Sequence, residues 1–322
     1  GSVIRTQKDY LEHCRRHKHG EDICGDAFVS RKLAEEDRVV AVLSDGLGSG
    51  VKANILASMT ATMALRFAVE GADILKSADI MMSALPVCKE RHISYATFTI
   101  VDTSIEGATR VIEQGNPQFL LIRDGKAVDL PCTEKSNPKW RDRRIRFYQL
   151  DTRAEDRLVV FSDGVSQAGM GTERLPLGWR VDGCRDFVQR VVQEEPEVSS
   201  RRLAGLVVDE ALRGEPGELP GDDMTCAVLY FREPRRLLVL SGPPFDETRD
   251  TEMSRMLDEF EGRTAVCGGT TADIVARELN RDITTELGTH DEGLPPTSHM
   301  DGVDLVTEGI LTLTRAARLL EN

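Results

Sequence analysis

The chain has 322 residues, 40% of them hydrophobic, which suits two domains and excludes general disorder. Lysine and arginine number 41 against 54 acidic residues, a formal charge of −13. That balance excludes a general nucleic-acid binder, because no basic excess exists to displace counterions.

The seven cysteines, at 14, 24, 88, 132, 184, 226 and 267, are widely spaced, with no Cys-x-x-Cys pair. No signal-peptide pattern opens the chain and no apolar run reaches the roughly 20 residues that cross a bilayer. Reduced thiols, a cytoplasmic location and no membrane span are therefore expected.

In chain order, RTQKDYLEHCRRHKHGED (5–22) is a polar, basic lead-in. Its His13, Cys14, His17 and His19, with Cys24 beyond, fit no standard zinc spacing and read as a solvated segment. GDAFVSRKL (25–33) and RVVAVLSDG (38–46) read as strands joined by a turn. Residues 52–69 put Ile55, Met59, Met63 and Phe67 on one helical stripe, and the many small residues imply close packing on a sheet. A second helix is expected over 72–91, where Met81 and Met82, like Met59 and Met63, read as core. YATFTIVDTS (95–104) reads as a strand, 107–131 as a hairpin pair with Asn-Pro and Asp-Gly turns, and RIRFYQL and RLVVFSDG as further strands. Arg141, Arg143, Arg144 and Arg146 cluster in a segment read as a solvated loop, with docking of an acidic partner as the alternative. Helices at 185–195 and 199–213 lead into a last strand, GDDMTCAVLYF.

Antiparallel strands grouped between helix pairs predict an α+β fold, unlike a βαβ alternation. REPRR (232–236) marks a boundary, giving domains 1–232 and 233–322. Beyond it, RLLVLSGPP, RTAVCGGTT and VDLVTEG each precede a helical stretch, the rhythm of a small parallel α/β module. There Gly268, Gly269, Thr270 and Thr271 could offer amides to a small anion or nucleotide, making the module regulatory. The alternative is an ordinary turn with a threonine cap.

Four acidic positions stand at strand ends: Asp26 in CGDAF, Asp45 in SDGLGSG, Asp163 in SDGVS, and Asp222-Asp223 in GDDMT. Carboxylates beside buried strands need a positive partner. Without accompanying histidine or thiolate, they are the hard donors that Mg²⁺ and Mn²⁺ prefer. The glycine after Asp45 and Asp163 would let a backbone carbonyl approach an ion.

In this order and spacing, GDAF, SDGLGSGVKA, VVFSDGV and GDDMT resemble the metal-dependent PPM protein phosphatases, and most of all the bacterial branch named for stage II sporulation protein E. The resemblance covers about residues 20–231. It implies an α-β-β-α sandwich of two antiparallel sheets and a binuclear Mn²⁺ or Mg²⁺ centre hydrolysing phosphoserine or phosphothreonine on a signalling protein. In this branch the substrate is often an anti-anti-sigma factor.

Carried onto this chain, the resemblance makes Asp45 the bridge between two metals, with the Gly46 carbonyl on one of them. Asp163 and Asp222 hold the other, and Asp26 binds directly or through water. Asp223 falls where many relatives have asparagine and takes a supporting position. Asp45, Asp163 and Asp222 are thus the catalytic set, and the nucleophile is water rather than Cys24 or Cys226. Leu47 stands where many eukaryotic relatives carry a histidine, and their phosphate-gripping arginine is not identifiable in this sequence. Lys52, at a helix start, is the substitute. A silent signalling scaffold and a metallohydrolase of small phosphoesters are the alternatives.

Overall fold

The computed structural model describes residues 8–71, 74–84, 96–140, 143–232, 236–285 and 297–320. The chain divides into two compact units, Gly1–Glu233 and Pro234–Asn322.

In the first unit the elements are β1 (Lys8–Arg16), β2 (Ala27–Leu33), β3 (Arg38–Gly46), α1 (Gly50–Val69), α2 (Ile74–Ala84), β4 (Ala96–Ser104), β5 (Ala108–Gln114), β6 (Leu120–Arg123) and β7 (Lys126–Val128). They continue with β8 (Thr133–Ser136), β9 (Arg144–Asp151), β10 (Arg157–Phe161), α3 (Asp163–Ser166), α4 (Arg180–Glu194), α5 (Ser200–Gly214) and β11 (Met224–Arg232). One antiparallel sheet runs β1-β11-β10-β6-β7, and the other runs β2-β3-β4-β5-β9-β8.

Strand alternation builds three cores. Leu43, Val101, Val111, Tyr148, Leu158, Val160, Leu229 and Phe231 fill the space between the sheets. Val159, Phe161, Cys226 and Val228 face the other way, onto Val188 and Val192 of α4 and Leu203 and Val207 of α5. Val40, Val42, Phe98 and Ile100 pack on Ala57, Ala61 and Ala64 of α1 and Met81 and Met82 of α2. Central strands covered on both faces need near-continuous apolar runs, which is why β3 and β10 read so clearly in the sequence. This is the expected α-β-β-α sandwich.

Several local expectations are corrected. The basic lead-in contains β1, which pairs with β11 over its whole length. Helix α1 packs through Ala53, Ala57, Thr60, Ala61 and Ala64, while Ile55 and Met59 are more than half exposed. Small side chains let the helix axis approach the sheet; Ile55 and Met59 turn outward, while Met63 and Phe67 pack against the same core. Asn116-Pro117 is a crossover rather than a hairpin turn, because β5 lies in one sheet and β6 in the other. Asp124-Gly125 does close a hairpin, with both residues at positive φ as a type I′ turn requires. The arginine cluster is partly consumed internally: Arg143 donates to the Trp140 and Met82 carbonyls, and Arg146 pairs with buried Glu113 at 3.0 Å.

The second unit comprises β12 (Leu237–Ser241), α6 (Asp250–Asp258), β13 (Arg263–Cys267), α7 (Gly269–Leu279), β14 (Ile283–Thr285), β15 (Thr297–Met300), β16 (Val303–Thr307) and α8 (Gly309–Leu320). β12, β13 and β16 are parallel neighbours, as the rhythm predicts, but β14 and β15 extend the sheet antiparallel. Among the described residues no helix is long and apolar enough to cross a membrane.

Candidate metal centre

Antiparallel pairing brings the four acidic positions together. In one sheet the amino end of β2 lies beside the carboxyl end of β3, with Ala27 opposite Ser44, so Asp26 and Asp45 are neighbours. In the other, Phe161 lies opposite Cys226, so Asp163 and Asp222-Asp223 adjoin. A hydrogen bond crosses between the sheets here: Thr225 Oγ1 donates to Asp26 Oδ2 at 2.6 Å.

The two Ser-Asp-Gly sequences are built alike. Ser44 Oγ donates to the Thr97 carbonyl at 2.7 Å. Ser162 Oγ accepts from the Thr225 amide at 2.9 Å, and the Ser162 amide donates to the Thr225 carbonyl. Each serine pins the strand end that carries its aspartate. The glycines serve packing first. A Cβ on Gly46 would stand 2.2 Å from the Ala53 carbonyl oxygen, and one on Gly164 would stand 2.1 Å from that of Asp223. Beyond Gly46 the glycine loop leads into α1, where Ser49 Oγ donates to Glu21 Oε1 at 2.9 Å.

Asp223 is committed to the fold. Its Oδ1 accepts from the Lys18 amide at 3.0 Å and its Oδ2 from the Gly25 amide at 2.8 Å, fixing the β1–β2 loop. Asp222 is half-buried and accepts its neighbour's amide at 2.9 Å. Asp163 accepts from Gln167 Nε2 at 2.9 Å. Lys52 lies exposed in the first turn of α1.

The electrostatics are those of excess negative charge. Burial pushes the Asp26 carboxyl up to about 7, against the pull of hydrogen bonds from Thr225 and Ser162 and with the push of Asp223 and Asp163. Asp45 is held well above the ordinary carboxylate range by burial, then by the charges of Asp26 and Asp163 and contact with Asp163. Asp222 is raised by burial, with Asp163 adding to it. Asp26 Oδ1 is buried without a hydrogen-bond partner. An orphaned carboxylate oxygen amid mutually repelling carboxylates fits an all-oxygen divalent cation site. As the chain stands, no three such side chains among the described residues converge tightly enough to form a ligand cluster.

A family model, that of stage II sporulation protein E (SpoIIE), matches residues 35–232. The chain belongs to the SpoIIE family. Its fold is similar to the SpoIIE phosphatase domain from Bacillus subtilis, with TM-score 0.53 and 16% identity over 74% of this chain and 99% of that one. A second Bacillus subtilis SpoIIE structure, described as a PP2C phosphatase domain with a fragment of the regulatory domain, gives TM-score 0.58 and 18% identity over 72% and 66%. The RsbU and RsbW domains of Rv1364c from Mycobacterium tuberculosis give 0.57 and 18% over 79% and 70%. No curated protein matches the chain in sequence.

The residues that sequence reasoning misses are the positioning groups of this SpoIIE domain: Thr225, Ser162, Ser44 and Glu21. The serine before each Asp-Gly was a visible signal; Thr225 and Glu21 carry none. Burial raises the Cys24 thiol to about 12 and the Cys226 thiol well above its usual range. The six described cysteines are free. In the second unit, Thr271 is buried and its Oγ1 accepts from the Gly242 amide at 3.1 Å, while the Gly268 amide donates to the Thr307 carbonyl at 2.7 Å. These bonds hold the sheet edge together and leave Gly269 and Thr270 as the exposed part of that turn.

Proposed function

We propose that the chain is a metal-dependent phosphatase hydrolysing phosphoserine or phosphothreonine on a signalling protein. The observation that carries this reading is the meeting of Asp26, Asp45, Asp163 and Asp222 at one end of the sandwich, with Asp26 Oδ1 orphaned. Asp45, the Gly46 carbonyl, Asp163, Asp222 and Asp26 would hold two Mn²⁺ or Mg²⁺ ions. When bound, such ions supply an activated water and neutralise charge building on the phosphoryl oxygens.

The chain's own residues prepare that site. Thr225 orients Asp26, Ser44 and Ser162 fix the strand ends, and Asp223 holds the β1–β2 loop against the acidic end. Lys52, in the first turn of α1, would meet the substrate phosphate. Family membership supports phosphatase chemistry in general. A second reading, a silent member that only binds partners, is disfavoured by the complete set of acids, since lost metal ligands would be its mark.

One experiment separates them. The expected result is that purified protein hydrolyses p-nitrophenyl phosphate with Mn²⁺, more slowly with Mg²⁺, and not with EDTA, and that Asp45→Asn abolishes turnover. Activity surviving thorough chelation refutes the metal reading; metal binding without turnover of any phosphoester establishes the silent one.

A further inference from the structure

Beside the acidic end lies a second feature, whose lining includes an arginine and a histidine. A cavity of about 370 Å³ is bordered by Arg15, His17, Asp22, Ile23, Cys24 and Asn54. Its floor is rigid: Asn54 Nδ2 donates to the Cys24 carbonyl at 2.8 Å, tying α1 to the loop, and Asp223 grips the same loop at Lys18 and Gly25. Cys24 precedes Gly25-Asp26, so the cavity wall runs directly into the candidate metal centre.

Alternation along β1 sets the charge of this cavity. Arg16 points to one face, where it meets Asp209 at 3.6 Å. Arg15 points to the other and lines the cavity, exposed and without an ion-pair partner among the described residues. His17 is exposed beside it, and Asp22 is the one carboxylate on the lining among the described residues. Several arginines of the first unit, among them Arg38, Arg110, Arg123, Arg144 and Arg146, are paired with carboxylates. In a chain of net charge −13, an uncommitted guanidinium next to a carboxylate-rich centre is positioned to offset repulsion of an anionic substrate.

We propose that this cavity is a specificity pocket for the substrate peptide, seating an acidic side chain that flanks the phosphorylated serine or threonine. The proposal rests on the phosphatase reading above. Arg15 offers a planar fork suited to a carboxylate, His17 adds a donor, and the amide of Asn54 faces the same space. An aspartate or glutamate near the phosphoresidue would dock here while the phosphate meets the acidic end. Basic flanks would meet unfavourable charge at Arg15.

The test uses the full chain with Mn²⁺ and three phosphoserine peptides identical except for glutamate, glutamine or lysine at the flanking positions, with p-nitrophenyl phosphate as reference. The expected result is kcat/KM about 10-fold higher for the glutamate than the glutamine peptide, carried mostly by KM, and lowest for lysine. Arg15→Glu should reverse the order, and Arg15→Gln should flatten it. Equal rates for the three peptides, or a glutamate preference that survives both Arg15 variants, overturn the pocket while leaving the phosphatase reading intact. No turnover of the peptides or of p-nitrophenyl phosphate overturns both.

Discussion

Thr225 Oγ1 donates to Asp26 Oδ2 at 2.6 Å, joining the first acid of one sheet to the last strand of the other. The same carboxylate leaves its Oδ1 orphaned. One oxygen is thus held by the fold, and the other is the one that would meet a cation in the proposed metal site. Thr225→Val keeps the side-chain shape and removes only the donor. The expected result is a folded protein losing about 1–3 kcal/mol, from the buried acceptor left unsatisfied. Its Mn²⁺ affinity should fall about 10–100-fold, the usual effect of losing a group that orients a ligand. Denaturant unfolding with and without Mn²⁺ measures both.

The adjacent acids of GDDMT make opposite predictions. Asp222 belongs to the repelling cluster and uses one oxygen to accept its neighbour's amide, a bond asparagine can keep. Asp222→Asn should therefore raise the melting point of the metal-free protein while weakening Mn²⁺ binding. Asp223 uses both oxygens on backbone amides, and asparagine has one acceptor. Asp223→Asn should cost about 1–3 kcal/mol in the metal-free protein. Thermal scans in EDTA decide, and the reverse pattern would exchange the two assignments.

Acidity gives a third expectation. The Asp26 carboxyl, ordinarily at 3.8, sits near 7 in the folded metal-free chain. Between those values the folded state holds a proton that the unfolded state has released, so raising the pH through this window removes stability. Mn²⁺ competes with that proton. Its affinity should rise with pH up to about 7, and binding at pH 6 should release protons, measured by titration calorimetry in buffers of different ionisation enthalpy. A metal affinity flat from pH 5 to pH 7 would contradict it.

The acidic motifs and the strands bearing them were legible because both sheets are covered on both faces, leaving continuous apolar runs that stop at Asp-Gly. β1 was not. As an edge strand, it follows no periodic pattern despite nine residues of pairing. The face of α1 was misread at Ile55 and Met59, though not at Met63 and Phe67, because Ile55 and Met59 recur at the same interval as Ala53, Ala57 and Ala61. Periodicity cannot say which stripe packs when close approach favours the smaller one. β14 and β15 are three and four residues long, too short for alternation to register.

The glycines after the two aspartates give the last prediction. They were expected to admit an ion, yet their missing Cβ atoms first admit neighbouring backbone: Ala53 O at 2.2 Å for Gly46 and Asp223 O at 2.1 Å for Gly164. Neither obstacle is a flexible side chain. Gly46→Ala must displace the first turns of α1, and Gly164→Ala must displace the residue next to Asp222. Each should cost about 3 kcal/mol or more, within the range of severe overpacking. Both should also weaken Mn²⁺ binding, because Gly46 adjoins Asp45 and the backbone displaced by Gly164→Ala adjoins Asp222. Gly205, on α5, has open space where a Cβ would stand, so Gly205→Ala should instead stabilise by about 0.5–1 kcal/mol. Urea unfolding of the three variants in EDTA tests the contrast. Near-wild-type midpoints for Gly46→Ala and Gly164→Ala would show that the glycines serve the ion alone.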